Sequence, residues 1–264
     1  MIDTKRLEVL GRDGKPIGLY YGVTYKTLSG TDFKIVKYFD RSKVEIQFLT
    51  ARGNTKYVEA KHIRNGKGIR DPYVPIVNGV GYMGEGIYDS KNSKDAYSVW
   101  SNMMKRCYSD LIHKKHPSYK GCSVCKEWHN FQTFAEWFYS HESYGLGYHL
   151  DKDLLVKGNR VYSANTCSMI PREINLAITD SNRGSEGLPC GVKRQGSSTY
   201  RVDISRWGRG KYLGAYETVE LAEDAYNKAK SSYIKDVAEK WKYLVTVDVY
   251  ESLIDFSNKC TQSS

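Results

Sequence analysis

The sequence predicts an α+β chain of several modules, and three observations predict it. Residues 1–78 alternate polar and apolar positions in short runs rich in β-branched and aromatic residues, the pattern of strands. Residues 93–140 repeat apolar side chains three and four apart, the period of helices. Residues 190–236 run strand, strand, strand, helix. The 264 residues give room for one large domain or two to three small ones. A composition 40% hydrophobic and 27% charged is that of a folded chain. No stretch of ~18 consecutive apolar residues occurs, so no membrane span is expected. The opening "MIDTKRLEVLGRDG" lacks the apolar core of a secretory signal.

The first module, residues 1–78, is expected to be a small twisted sheet or barrel. Its strands are "DFKIVKYFD", "RSKVEIQFLT" and, after the turn "ARGN", "TKYVEAKHIRNG". The glycine-rich stretch 78–90, "NGVGYMGEGIYDS", reads as a pliable linker. The second module, 79–182, begins with a helix that Ser93 can cap; Ala96, Trp100, Met103 and Cys107 form its apolar face. A second helix, "NFQTFAEWFYSH", gathers Phe131, Phe134, Ala135 and Phe138. Next come a short apolar strand, a turn and spaced asparagines: "YHLDKDLLVKGNRVYSANTCSMIPREIN", 148–175. The third module, 185–264, has the strands "CGVKRQ", "TYRVDISRWG" and "GKYLGAYE", then a helix that Thr218 can cap. Leu221, Ala222, Ala225, Tyr226 and Ala229 are its expected buried face. In the tail, "YLVTVDVY" reads as a strand and "ESLIDF" as a short helix.

Lysine and arginine number 40 against 30 acids, a net charge of +10. The partner such a surface suits is a polyanion, nucleic acid first. The 22 tyrosines add rings that stack on bases and hydroxyls that bond phosphates. The six cysteines, without a secretory signal, are expected to be reduced. Cys122 and Cys125 stand at CxxC spacing; with Cys107 and Cys167 they could share one tetrahedral zinc ion, with His113, His116 and His129 as substitutes. The alternative is four ordinary buried thiols.

Residues 188–236 resemble the DNA-binding domain of plant ethylene-response (Apetala-type) factors, which also occurs in phage homing endonucleases. "GVKRQ", "TYRVDIS", "KYLGAYET" and "AEDAYNKAK" carry the likeness. It implies a three-stranded antiparallel sheet with one packed helix, lying in the major groove of double-stranded DNA. Alternation puts Arg201 and Asp203 on one face and Val202 and Ile204 on the other. The candidates for DNA contact are Lys193, Arg194, Arg201, Arg206, Trp207, Arg209 and Lys211.

Residues 95–178 resemble the HNH-type domain of phage homing endonucleases, through Trp100, "RCY" at 106–108, "VCKEW" at 124–128 and "LDKD…GNRVYSANTC". The likeness implies two strands and a helix around one metal ion. By it Asp151 takes the metal-binding position, Asn165 the bracing position and Asn175 the last ligand position, a set of oxygens suited to Mg²⁺ or Mn²⁺. The general-base position holds Lys152 instead of histidine, and an ammonium is a poor base near neutrality. His149, on the same strand face as Asp151, could replace it. Together the two likenesses imply a phage DNA endonuclease acting in the bacterial cytoplasm. The alternative is a catalytically degenerate DNA-binding protein or a regulator of a host protein.

Overall fold

The computed structural model describes residues 7–141, 147–179 and 187–262. The boundary expected at 182–185 lies outside them. The fold is mixed α+β, with seven α-helices and five small sheets among the described residues. The chain divides into two compact units, Met1–Val74 and Pro75–Ser264.

In the first unit β1 (Leu7–Leu10) and β2 (Pro16–Tyr21) form an antiparallel hairpin. A four-stranded antiparallel sheet follows in sequence order: β3 (Thr24–Lys26), β4 (Asp32–Asp40), β5 (Lys43–Phe48) and β6 (Thr55–Val58), and a short helix α1 (Ala60–Asn65) closes the unit. Alternation decides which side is buried. Phe33, Ile35, Val44, Ile46, Phe48 and Val58 face inward, where Val9, Ile17 and Leu19 of the hairpin and Ile63 of α1 complete one core. The opposite side of the sheet carries Lys34, Lys37, Lys43, Glu45 and Gln47 together with the rings of Phe39 and Tyr57.

The second unit starts at residue 75, and within its first stretch residues 78–90, expected to be a pliable linker, are held against the helices that follow. A β-carbon at Gly81 would lie 2.8 Å from the Trp100 ring, so only glycine lets the chain pass there. Gln132 Nε2 donates to the Met83 and Tyr88 carbonyls (2.9 and 2.8 Å), and its Oε1 accepts from the Tyr88 N–H (3.1 Å). Helix α2 (Lys94–Tyr108) buries the expected face, Ala96, Trp100, Met103 and Cys107. After the short α3 (Asp110–Lys115) and β7 (Ser123–Val124), helix α4 (Phe131–Ser140) buries Phe131, Phe134, Ala135 and Phe138. Asn130 caps α4, its side chain accepting from the Gln132 N–H at 3.1 Å.

Strand β8 (His149–Asp151) leads by way of β9 (Val161–Tyr162) to β10 (Ser168–Ile170) and helix α5 (Arg172–Ile178). β8 and β10 pair antiparallel, Ser168 opposite Asp151 and Ile170 opposite His149. β9 pairs parallel with β7.

The C-terminal elements are β11 (Val192–Gln195), β12 (Thr199–Arg206) and β13 (Arg209–Tyr216), an antiparallel sheet in sequence order, then α6 (Val219–Trp241) and α7 (Val247–Gln262). Thr218 caps α6, its hydroxyl accepting from the Leu221 N–H at 3.2 Å. Two expectations fail here. Leu221 is 53% exposed, and the buried stripe of α6 runs through Ala222, Tyr226, Tyr233, Ile234, Val237 and Ala238. Nor is "YLVTVDVY" a strand: Lys242–Leu244 turn, Val245 bends and α7 begins at Val247. Val249 and Leu253, four apart, bury against Ile234, Val237 and Ala238, and that packing overrides the strand preference of the valines.

α6 belongs to two cores. Its first half packs on Val192, Val202 and Ile204 of the sheet, and its second half on Leu154, Ile170, Ile174 and α7.

Candidate functional site

The β8–β10 hairpin and α5 form two strands and a helix, and they open a cleft of about 570 Å³ towards α2. His149, Asp151, Lys152 and Asn175 all line it, joined by Arg106 and Tyr119, which the sequence had not singled out for this role. Asn165 does not reach it. That residue is exposed in the turn after β9 and borders another hollow, with Cys125 and Glu127.

Asp151 ends β8 and turns the chain: its Oδ1 accepts the N–H groups of Asp153 (3.0 Å) and Leu154 (2.7 Å). Burial raises its pKa from the ordinary carboxylate value, and those two N–H bonds only partly offset it. The folded state therefore holds the proton more tightly than the unfolded chain. That contribution to stability is complete below the unfolded pKa and is lost as pH rises through the folded one. At neutral pH the ionised Asp151 is a cost. Asp151→Asn keeps an oxygen acceptor and removes the charge, so it should raise Tm at pH 7, and the gain should vanish below about pH 3.9. A lower Tm at pH 7 in paired thermal melts would show that the cations lining the cleft already outweigh burial.

Lys152 is buried at 8% exposure. Its ammonium donates to Asp153 Oδ1 (2.5 Å) and to the Asn159 carbonyl (3.1 Å). Asn159 answers with Nδ2 to the Lys152 carbonyl (2.9 Å) and the Val161 carbonyl (2.7 Å), while its Oδ1 accepts from the Val161 N–H (3.1 Å). Asn159, and not Asn165, braces this loop. Lys152 is thus a structural cation at the place where the resemblance implies a base. His149 is exposed on the cleft wall.

Oxygen donors from Asp151 and Asn175 suit a magnesium ion, which commonly takes one or two carboxylates and fills its shell with water and phosphate. The thiols are arranged differently. Cys107, Cys122 and Cys167 are buried in the α2–α4 core and Cys125 packs against it. Burial first, then the neighbouring Cys122, pushes the Cys107 thiol up to about 12; burial likewise pushes Cys167 up to about 12. Among the described residues no group of three or more His, Cys, Asp or Glu is placed to hold a metal ion. Of the substitutes, His129 Nε2 lies 3.1 Å from the Val124 carbonyl and His113 Nε2 2.9 Å from the Arg106 carbonyl, tying down local backbone.

The second candidate surface is the β11–β13 sheet. Its alternation is as expected, with Val202 and Ile204 buried against α6. Lys193 pairs with Arg201, and Asp203 with Tyr212, so these four share the outward face. The Arg201 guanidinium makes a two-point bond to Asp203, Nε–Oδ2 and Nη2–Oδ1 both 2.9 Å, and lies 4.8 Å from the centre of the Tyr212 ring. The other candidates are dispersed. Arg194 pairs with Tyr200 and Lys211 with Ile204, which puts both on the helix side. Arg206 has the parity of Ile204; it is ion-paired with Asp236 and lies 5.2 Å from the Tyr233 ring. Trp207 occupies the hairpin tip at φ 53°, its N–H donating to the Tyr233 hydroxyl (3.1 Å) and Lys240 lying 4.7 Å from its ring. Arg209 is exposed at the same tip.

No helix among the described residues is long and apolar enough to cross a membrane. In comparisons with known proteins the chain matches no family model, no curated protein and no solved structure.

Proposed function

We propose that the protein binds double-stranded DNA by laying the outward face of the β11–β13 sheet into the major groove. The observation that carries this reading is the Lys193–Arg201–Asp203–Tyr212 face. A guanidinium has five donors, and Asp203 engages two of them. The remaining donors are held in a fixed fork above a tyrosine ring, the geometry that suits the paired acceptors of a guanine edge. The major groove admits two paired strands, and β12 and β13 carry three of these four residues. The resemblance of residues 188–236 to a major-groove reader supports the same reading, and the net charge of +10 supports a nucleic-acid partner for the chain as a whole.

The test is selection of a duplex from a random pool, followed by binding at several salt concentrations. Affinity for the selected duplex is expected to fall steeply with salt as phosphate contacts release counterions. Arg201→Ala should weaken it by about tenfold, the scale of one lost base contact. Arg201→Lys should not restore it, because an ammonium lacks the fork. A pool that shows no enrichment, or Arg201→Ala binding as tightly as wild type, would remove the sheet as the reader.

A second reading, hydrolysis of a DNA phosphodiester, is favoured by one observation: Asp151, His149, Asn175 and Arg106 line a single cleft. Asp151 and Asn175 would hold a magnesium ion, which stabilises the leaving oxygen in such reactions. Arg106 supplies positive charge for the phosphate. With Lys152 tied to Asp153 and Asn159, His149 is the imidazole on the cleft wall and would act as the general base. Plasmid nicking in Mg²⁺ or Mn²⁺, abolished by Asp151→Ala with duplex binding retained, is the result this reading requires.

A further inference from the structure

We propose that the outward face of the β3–β6 sheet is a stacking platform for single-stranded DNA. The inference rests on the reading of the chain as a DNA-binding protein and assigns a role to its first unit. Residues 1–74 hold 15 lysines and arginines against 8 aspartates and glutamates, a net +7 of the chain's +10. The other 190 residues, with 25 basic and 22 acidic side chains, supply only +3. Most of the attraction for a polyanion thus resides in the smaller unit and not in the unit that carries the β11–β13 sheet.

The strand register shows how that charge is displayed. Lys37 pairs with Glu45 and Glu45 with Tyr57, so these three form a row across β4, β5 and β6 on one face. Lys43, two residues before Glu45, shares that face. Phe39 and Tyr57 meet edge to face, ring centres 6.0 Å apart. Lys43 Nζ lies 4.6 Å from the Tyr57 centre and 5.1 Å from that of Phe39, and Lys37 Nζ lies 4.8 Å from Phe39. Tyr57 is 56% exposed. The next row, Lys34–Gln47–Thr55, adds a further cation and two hydrogen-bonding groups.

Two rings and two ammoniums on an open sheet match the two parts of an unpaired nucleotide: the base stacks on a ring, and the phosphate meets a cation. A duplex keeps its bases stacked and offers this face only phosphates, for which the rings would have no use. Glu45 at the centre of the row repels phosphate, which places the backbone along the Lys37 and Lys43 margin. DNA rather than RNA is the occupant because the β11–β13 sheet is read as a DNA binder, and an unpaired stretch of the DNA it holds is tethered to the same chain. Cation–ring contacts alone could also serve only to cover the rings with lysine stems, and the experiment separates the two roles.

The full-length chain is titrated with fluorescently labelled oligo-dT, oligo-rU and the selected duplex. Tyr57→Ala should weaken oligo-dT binding by about tenfold and leave duplex binding unchanged. Tyr57→Phe should retain oligo-dT affinity, because the ring remains. Lys43→Gln should weaken it with a shallower salt dependence. Tyr57 is exposed, so the melting temperature of Tyr57→Ala should match wild type and exclude unfolding as the cause. If wild type ignores oligo-dT, or Tyr57→Ala binds it as wild type does, the platform is overturned even where duplex binding stands. Tighter binding of oligo-rU than of oligo-dT overturns the assignment to DNA. Should duplex selection fail while oligo-dT binding depends on Tyr57, the major-groove reading falls and the platform stands.

Discussion

Replacing Trp100 by alanine is expected to destabilise the second unit by about 3–5 kcal/mol, the range for truncating a buried aromatic residue. The side chain is fully buried. Its ring lies 5.2 Å from Phe131 and 5.9 Å from Tyr97, and Gly81 passes against its edge. Its Nε1–H donates to the Trp128 carbonyl at 2.7 Å, the bond that ties α2 to the turn before α4. Alanine leaves a cavity between three elements and an unpaired carbonyl at its wall. Against a typical domain stability of about 5–15 kcal/mol, that loss should move the urea midpoint of the second unit well down. The first unit has its own core and should keep its transition. A shift below about 1 kcal/mol would mean that Met103, Met104 and the neighbouring rings refill the space.

Gly191→Ala is expected to cost about 3 kcal/mol and to abolish duplex binding, from strain and overlap together. Gly191 sits at φ 74°, and an added β-carbon would lie 2.3 Å from the Tyr226 ring and 2.6 Å from the Asp203 carbonyl. The ring could turn aside, but the carbonyl belongs to the central strand. The Gly191 carbonyl also accepts the Asp203 N–H at 3.0 Å, so relief of the overlap breaks the join between β11 and β12. Gly196, at φ 70°, has open space around it. Gly196→Ala should therefore show the backbone strain alone, about 1–2 kcal/mol. Faster amide exchange in β11 and β12 for Gly191→Ala, but not for Gly196→Ala, is the accompanying sign. Equal effects from the two would mean that overlap plays no part.

What could be read from the sequence was what local period controls. α2 and α4 show their buried faces in apolar steps of three and four, and β12 shows its two faces in plain alternation. Arg206 shares the parity of Val202 and Ile204, so its place on the helix side was already legible; its positive charge outweighed its position. Lys211 was different. Its side follows from its register opposite Ile204, beyond an irregularity between Val202 and Asp203, and no local pattern reports that. α7 was hidden because "VTVDVY" has strand composition and becomes helical through contacts with α6, distant in sequence from the first module but decisive for the last. In the cleft, the resemblance pointed to Asp151 and Asn175. Which asparagine braces the loop depended on hairpin geometry: Asn159 reaches both Lys152 and Val161, while Asn165 lies beyond β9.

The shared membership of α6 in two cores has a metric consequence. Its 23 residues form one continuous helix, about 34 Å long at about 1.5 Å per residue. One end is embedded in the sheet and the other is clamped between α5, α7 and the strand that leads from the cleft. A helix fixed at both ends acts as a ruler. On the proposed reading, a sheet seated on a duplex would carry the cleft to one set offset and one angular phase around the DNA axis, so that position along the double helix would be measured by protein length and need not be read from the bases beneath it.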